Sequence, residues 1–292
     1  MSFSGQVKAE LYKVLPRSRH CQIAEIAAII SFLGKLRKKT EKNTISLETE
    51  NADISQKCFT LLKKTISMDW YGVSGFADLE SEELIDMLKI SGDELYPVDE
   101  RIIQQPCCKA SFLRGAFLAA GSVSDPSKAY HFEIVCRSEK QAKQLVRIFN
   151  SFELPAKVVV RKDRSVVYLK EGSHVADALG YMGAPKSLMD LENIRILKDM
   201  RNDLNRKVNC ETANISKTVS AAYRQLEDIK LLEEKGVLKE LPVNLKEAAQ
   251  LRIDNPDLSL GELAELCDPP VGKSGMNHRF RKLALEADKL RN

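Results

Sequence analysis

Two rhythms of apolar and polar residues run along this chain. From Gln22 to Gly34 (QIAEIAAIISFLG) apolar positions are almost unbroken and alanine is frequent, which predicts a helix buried on most sides. A basic stretch, KLRKKTEKN, reads as a loop and leads into a strand over Thr44–Glu50 and an apolar-periodic helix at about Ile54–Met68. After a short helix at Glu82–Lys89 and a Pro-containing connection the pattern restarts. Phe112–Gly121 is again an alanine-rich helix, Tyr130–Arg137 (YHFEIVCR) alternates as a strand, and Glu139–Phe152 is helical. Ala156–Lys170 reads as two strands around a Lys162–Asp163–Arg164 turn, and helices follow at about Ser173–Tyr181 and Ser187–Leu204. Helix, strand, helix thus occurs twice, the order expected of an internal duplication whose first copy is the shorter.

Beyond Asn205 the strand signals stop. Residues 211–235 form a long helix candidate ending at Gly236, with a linker placed at 205–218. Asn244 and Glu247 have capping-box spacing before LKEAAQLRI, and Ser259 and Glu262 repeat it before LGELAEL. Asp268–Pro269–Pro270 stops that helix, because proline lacks an amide donor and restricts the residue before it. A last helix runs from about Lys273 to Leu290, with Met276, Phe280, Leu283, Ala287 and Leu290 on one stripe. Two short helices, a tight break and a basic helix are the layout of a helix-turn-helix.

Charge sharpens that reading. Net charge is +4, and residues 271–292 carry six basic residues against two acidic ones, so the excess is concentrated in the last helix. Opposite its apolar stripe lie Ser274, Asn277, His278, Arg281 and Lys282. Asn and Arg pair with adenine and guanine edges, and the others suit phosphate. Lys289 and Arg291 read as solvated. A second basic group, Lys157, Arg161, Lys162, Arg164 and Lys170, falls on the predicted hairpin. A third, Lys35, Arg37, Lys38, Lys39 and Lys42 beside Glu41, falls in the first copy. Both groups read equally as phosphate contacts or as solubilising charge. The seven cysteines are odd in number and show no CxxC or local Cys/His array, and the four histidines are scattered. Free thiols in a reducing cytosol are expected, with no metal and no cofactor. No apolar run is long enough to cross a membrane, and the N-terminus lacks signal-peptide layout.

Ile26–Gly34 (IAAIISFLG) and Leu113–Gly121 (LRGAFLAAG) both resemble the nine-residue LAGLIDADG signature of homing endonucleases. In that family two such helices pack along a pseudo-twofold axis, and the acid at the eighth position of each binds the divalent ions used for cleavage. Here those positions are Leu33 and Ala120, neither of which is a metal ligand, and Asp125 has no counterpart in the first copy. The blocks MSFSGQVKAEL, FLRGAFLAAGSVSDP, NIRILKDMRNDLNRKVNCETAN and LGELAELCDPPVGKSGMNHRFRKL together resemble the WhiA family over essentially the whole chain.

The fold so implied is α+β: a duplicated LAGLIDADG-like domain over 1–204 (pseudo-repeats about 1–105 and 106–204), the linker, and an all-α helix-turn-helix domain over 219–292. The resemblance implies a bacterial cytoplasmic, nucleoid-associated DNA-binding protein tied to cell division and chromosome segregation, and a regulator of sporulation in some relatives. It places contact with double-stranded DNA on Lys273, Ser274, Asn277, His278, Arg279 and Arg281. Lys157, Arg161, Lys162 and Arg164 are additional phosphate candidates. No catalytic residue is expected. The alternatives are an active metal-dependent endonuclease, or an adaptor whose front domain binds a protein partner.

Overall fold

The computed structural model describes residues 1–38, 43–49, 51–66, 76–80, 82–90 and 94–291; the side chains of residues 37, 38, 43, 44, 48 and 76–80 are outside that description. The chain divides into two compact units, Met1–Lys198 and Asp199–Asn292. No helix among the described residues is long and apolar enough to cross a membrane.

In the first unit α1 (Phe3–Tyr12) precedes α2 (Arg19–Leu33), β1 (Gly34–Lys38), β2 (Asn43–Glu48), α3 (Ala52–Ile66), β3 (Phe76–Glu80) and α4 (Glu82–Met87). The second copy is α5 (Pro106–Ala120), β4 (Gly121–Val123), β5 (Phe132–Cys136), α6 (Glu139–Asn150), β6 (Lys157–Arg161), β7 (Arg164–Leu169) and α7 (Gly172–Met182). Each copy has its own antiparallel sheet, ordered β1-β2-β3 and β4-β5-β7-β6. Residues 35–38, expected as loop, belong to strand β1, which pairs Gly34 to Leu47 through Lys38 to Asn43. Its basic composition hid it, because period-2 alternation is faint in KLRKK. Glu50, Met68, Lys39, Glu41 and Lys42 lie outside the described residues.

α2 and α5 form the centre of this unit. Residues 24–32 of α2 are all buried, as are 111–118 of α5. Close approach depends on small residues: a Cβ added at Gly115 would lie 2.7 Å from the Glu25 carbonyl oxygen and 2.8 Å from Ala28 Cβ. Each helix ends on a glycine that turns directly into a strand. A Cβ at Gly34 would sit 2.5 Å from Ile30 O, and at Gly121 2.7 Å from Phe117 Cα, so both copies need glycine for space. The buried Glu25 carboxylate is held by Arg114 (Nε 3.0 Å, Nη2 2.8 Å) and by Lys57 Nζ at 2.9 Å. Arg114 also donates to Met182 O, and Lys57 to Leu11 O and Val14 O, so each member of this buried charge cluster has partners. Burial draws the Lys57 ammonium pKa below its ordinary value, against the opposing pull of Glu25.

One helix, α8 (Pro185–Glu234), carries the chain from the first unit into the second. Residues 205–218, expected as a linker between separate helices, are helical throughout. The polar block NRKVNCETAN has no apolar period, but the whole helix contains neither glycine nor a further proline, and polarity alone does not stop a helix. Bonds from Thr218 Oγ1 to Asn214 O (3.0 Å) and from Asn214 Nδ2 to Cys210 Sγ (3.8 Å) follow the i, i+4 geometry of the helix there. Gly236 leaves it with φ 74°, a left-handed conformation that glycine adopts without strain. A 3-10 turn (Val237–Glu240), α9 (Val243–Asp254), α10 (Leu260–Glu265) and α11 (Lys273–Arg291) complete the second unit.

Candidate nucleic-acid interface

The three final helices bury one core. Met276, Phe280, Leu283 and Ala287 of α11 pack with Leu245, Ala248 and Ala249 of α9 and with Leu263 and Ala264 of α10, and Leu290 lies partly buried at its edge. Ser259 and Glu262 form the expected capping box, Ser259 N to Glu262 Oε2 at 2.7 Å and Glu262 N to Ser259 Oγ at 3.4 Å. The box expected at Asn244 does not form. Proline supplies the N-cap of α9 one residue earlier than Val243, and Glu247 reaches across the motif instead. Its Oε1 accepts from Asp268 N at 3.1 Å and its Oε2 from Arg279 Nη1 at 2.8 Å, tying the turn to α11.

Arg252 braces the other side of the motif. Its side chain is buried; Nη1 donates to the carbonyls of Asn255 (3.3 Å), Pro256 (3.2 Å) and Leu258 (2.6 Å), and Nε to Gln225 Oε1 (3.0 Å). The guanidinium also lies 5.5 Å from the centre of the Phe280 ring. Burial lowers its pKa from the ordinary value, but an arginine stays charged and keeps donating. Nothing in the 3.6-residue pattern announced this residue; an arginine inside LKEAAQLRI reads as surface.

These contacts fix which side of α11 faces outward. Lys273, Ser274, His278, Arg281 and Lys282 are exposed and Asn277 is half-buried, and among the described residues none of these six side chains has a partner. Arg279 is different: its side chain is only 15% exposed, against Glu247, with Cys267 Sγ 3.5 Å away. Farther along the helix Lys289 pairs with Glu286 (2.8 Å), and Arg291 with Asp228 (2.6 Å) and Asp288 (2.9 Å). Of the six basic residues in 271–292, three are therefore neutralised locally. The free charge of this helix is confined to Lys273, Arg281 and Lys282, in the first three turns, where the positive end of the helix dipole adds to it.

In the first unit the hairpin stands as expected, with Lys162 (φ 46°) and Asp163 (φ 62°) making a two-residue turn in which both central residues are left-handed. Arg164 opens β7 rather than sitting in the turn. Lys157, Arg161, Lys162 and Arg164 are exposed. Arg161 is engaged by Glu133 (3.2 Å), which also holds His131 (2.9 Å) and Ser122 (3.2 Å); the other three are unpaired among the described residues. Lys170 lies 5.2 Å over the Tyr168 ring. Leu33 and Ala120 occupy the C-terminal ends of α2 and α5, partly buried against the core. Asp125 lies in the loop after β4 and accepts a bond from Ser127 N at 2.8 Å.

Twin glycine-ended helices, each feeding a sheet, with their eighth positions apolar, define a degenerate LAGLIDADG-like domain; the C-terminal unit is a helix-turn-helix. Comparison with known proteins narrows the class. Residues 19–70 match the WhiA N-terminal LAGLIDADG-like domain, 109–201 the WhiA LAGLIDADG-like domain and 204–286 the WhiA C-terminal HTH domain. The probable cell division protein WhiA of Lachnoclostridium phytofermentans is 45% identical over 312 aligned positions, spanning 100% of both chains. That of Thermoanaerobacter pseudethanolicus is 42% identical, spanning 100% of this chain and 98% of its own. This chain belongs to the WhiA family. Full-length WhiA from Thermatoga maritima has the same fold, with a TM-score of 0.60 at 23% identity and 99% of each chain covered.

Proposed function

We propose that this protein is a sequence-specific binder of double-stranded DNA that regulates transcription in connection with cell division and chromosome segregation, in the nucleoid of the cytoplasm, without cutting DNA. The observation that carries this reading is that the unpaired basic charge of α11 is confined to the outward side of its first turns, next to Asn277. The N-terminal turns of the second helix are the part of a helix-turn-helix that enters the major groove. Asn277 and Arg281 are assigned to base edges, and Lys273, Ser274, His278 and Lys282 to phosphates. Arg279 we assign to positioning, since its guanidinium is committed to Glu247. Lys157, Lys162 and Arg164 offer a second, sequence-independent set of phosphate contacts, with Arg161 partly spent on Glu133. The relatives named as cell division proteins motivate the biological setting.

The reading is tested on a duplex selected from random DNA by the purified full-length protein. Replacing Asn277 and Arg281 by alanine is expected to weaken binding to that duplex by ~1–3 kcal/mol per base contact in fluorescence anisotropy. Undiminished affinity of the double variant rejects the assigned face. For the nuclease alternative, the eighth-position side chains Leu33 and Ala120 offer no oxygen to a divalent ion. Incubation of supercoiled and linear duplex with magnesium or manganese is expected to leave both intact, and reproducible cutting overturns that part.

A further inference from the structure

Read along the chain, the cysteines show no metal-binding spacing, but folding gathers three of them with a histidine. His20, Cys21, Cys107 and Cys108 each present one ligand atom, and these atoms all lie within 4.8 Å of one another. His20 Nδ1 is 3.1 Å from Cys108 Sγ, 3.4 Å from Cys21 Sγ and 4.0 Å from Cys107 Sγ. The four residues are equivalent in the duplication. His20 and Cys21 are the second and third residues of α2, Cys107 and Cys108 the second and third of α5, and each pair stands at the same distance before its nine-residue motif. Packing of α2 on α5 therefore places the two first turns, and the two pairs, side by side. We propose that His20, Cys21, Cys107 and Cys108 form a Cys3His site for a zinc-type divalent ion that staples the N-terminus of α2 to that of α5.

Geometry, charge and access agree with this. Zinc with sulfur at ~2.3 Å and nitrogen at ~2.0 Å in a tetrahedron holds its ligand atoms about 3.5–3.8 Å apart. The three nitrogen–sulfur separations of 3.1–4.0 Å bracket the nitrogen–sulfur edge, and no pair of ligand atoms is more than 4.8 Å apart, so side-chain rotations of about 1 Å close the site. Three thiolates and an imidazole around a divalent cation carry a net charge of about −1, which the positive ends of two helices are placed to offset. Ligation displaces the thiol protons, which pass to solvent. Cys21 and Cys108 are buried, whereas His20 and Cys107 are exposed, and a cavity of about 170 Å³ lined by His20, Gln105 and Cys108 opens beside them, so an ion has a route in. Ligands drawn from both copies distinguish this site from an isolated buried thiol such as Cys58.

Full-length protein purified with a phosphine reductant, supplied with zinc, desalted and analysed by mass spectrometry of metals is expected to retain about one zinc per chain. Cobalt in its place is expected to show thiolate charge-transfer absorption and the intense visible bands of a tetrahedral, sulfur-rich ion. Cys107→Ser, at an exposed position that leaves the fold undisturbed by circular dichroism, is expected to lower retained zinc roughly tenfold or more. Cys210→Ser, at an exposed cysteine outside the cluster, is expected to retain it. Substoichiometric zinc in fully reduced protein overturns the proposal, as does a weak octahedral cobalt spectrum. So does a disulfide among these cysteines in the protein as purified under reductant, or full zinc retention by Cys107→Ser.

Discussion

Replacing Gly115 by alanine sets two physical effects against each other. By helix propensity alone the change stabilises, since glycine in a helix interior costs ~1 kcal/mol relative to alanine. In this structure the new methyl meets the Glu25 carbonyl oxygen at 2.7 Å and Ala28 Cβ at 2.8 Å, where ordinary carbon contacts need about 3.5–4.0 Å. Neither obstacle is the end of a flexible side chain, so α2 and α5 must part by roughly 0.7–1 Å. Overpacking of this kind costs ~1–3 kcal/mol. The displaced backbone also belongs to Glu25, whose carboxylate is held by Arg114 at 2.8 Å and Lys57 at 2.9 Å, so relaxation there loosens a buried ion cluster. Taking the upper part of that range and subtracting the propensity gain leaves a net loss of about 1–2 kcal/mol. At this domain size that is a fall in midpoint of about 2–8 °C. Calorimetry or circular dichroism melts of wild type and Gly115→Ala, with Gly261→Ala as reference, measure it. At Gly261 the nearest atom to an added Cβ is Ser259 Oγ at 3.7 Å, an ordinary contact, and no loss is expected. If Gly115→Ala melts at or above wild type, the close approach of the two central helices is wrong.

Two further outcomes follow from the second unit. Arg252→Met keeps the stem but removes the donor from the carbonyls of Asn255, Pro256 and Leu258, so we expect a loss of about 3 kcal/mol, read as an earlier urea midpoint. Lys273→Gln with Lys282→Gln removes two of the three unpaired cations on α11. The slope of log affinity against log salt should then flatten by about 0.9 for each phosphate no longer neutralised, equally on selected and random DNA. An unchanged slope places the phosphate contacts elsewhere.

Local pattern carried much of this structure. The alternation in YHFEIVCR gives β5, with Phe132, Ile134 and Cys136 inward, and the stripe from Met276 to Ala287 gives the buried side of α11. The Ser259–Glu262 box and the paired glycines Gly34 and Gly121 were readable because each acts within one turn of its own backbone. What stayed hidden depends on residues far apart. Glu247 has capping spacing with Asn244 yet bonds Asp268 and Arg279, 21 and 32 residues on, so an arginine in the basic block turns inward. The continuity of α8 through 205–218 was obscured by a polar composition that marks exposure, not a break. His20 lies 88 residues from Cys108, so spacing rules along the chain did not register the cluster. Aligning the two copies of the duplication superimposes His20–Cys21 on Cys107–Cys108, and that was the signal available in the sequence.

If the outward side of α11 occupies the major groove, guanine N7 reports its presence there directly. Dimethyl sulfate protection on the selected duplex is the measurement. We predict that full-length protein shields guanines within the selected site. We also predict that Arg281→Ala, at a concentration restoring occupancy, exposes one of them while the rest of the footprint persists. Bound DNA whose guanines stay fully reactive, or a protection pattern identical with and without Arg281, contradicts the account.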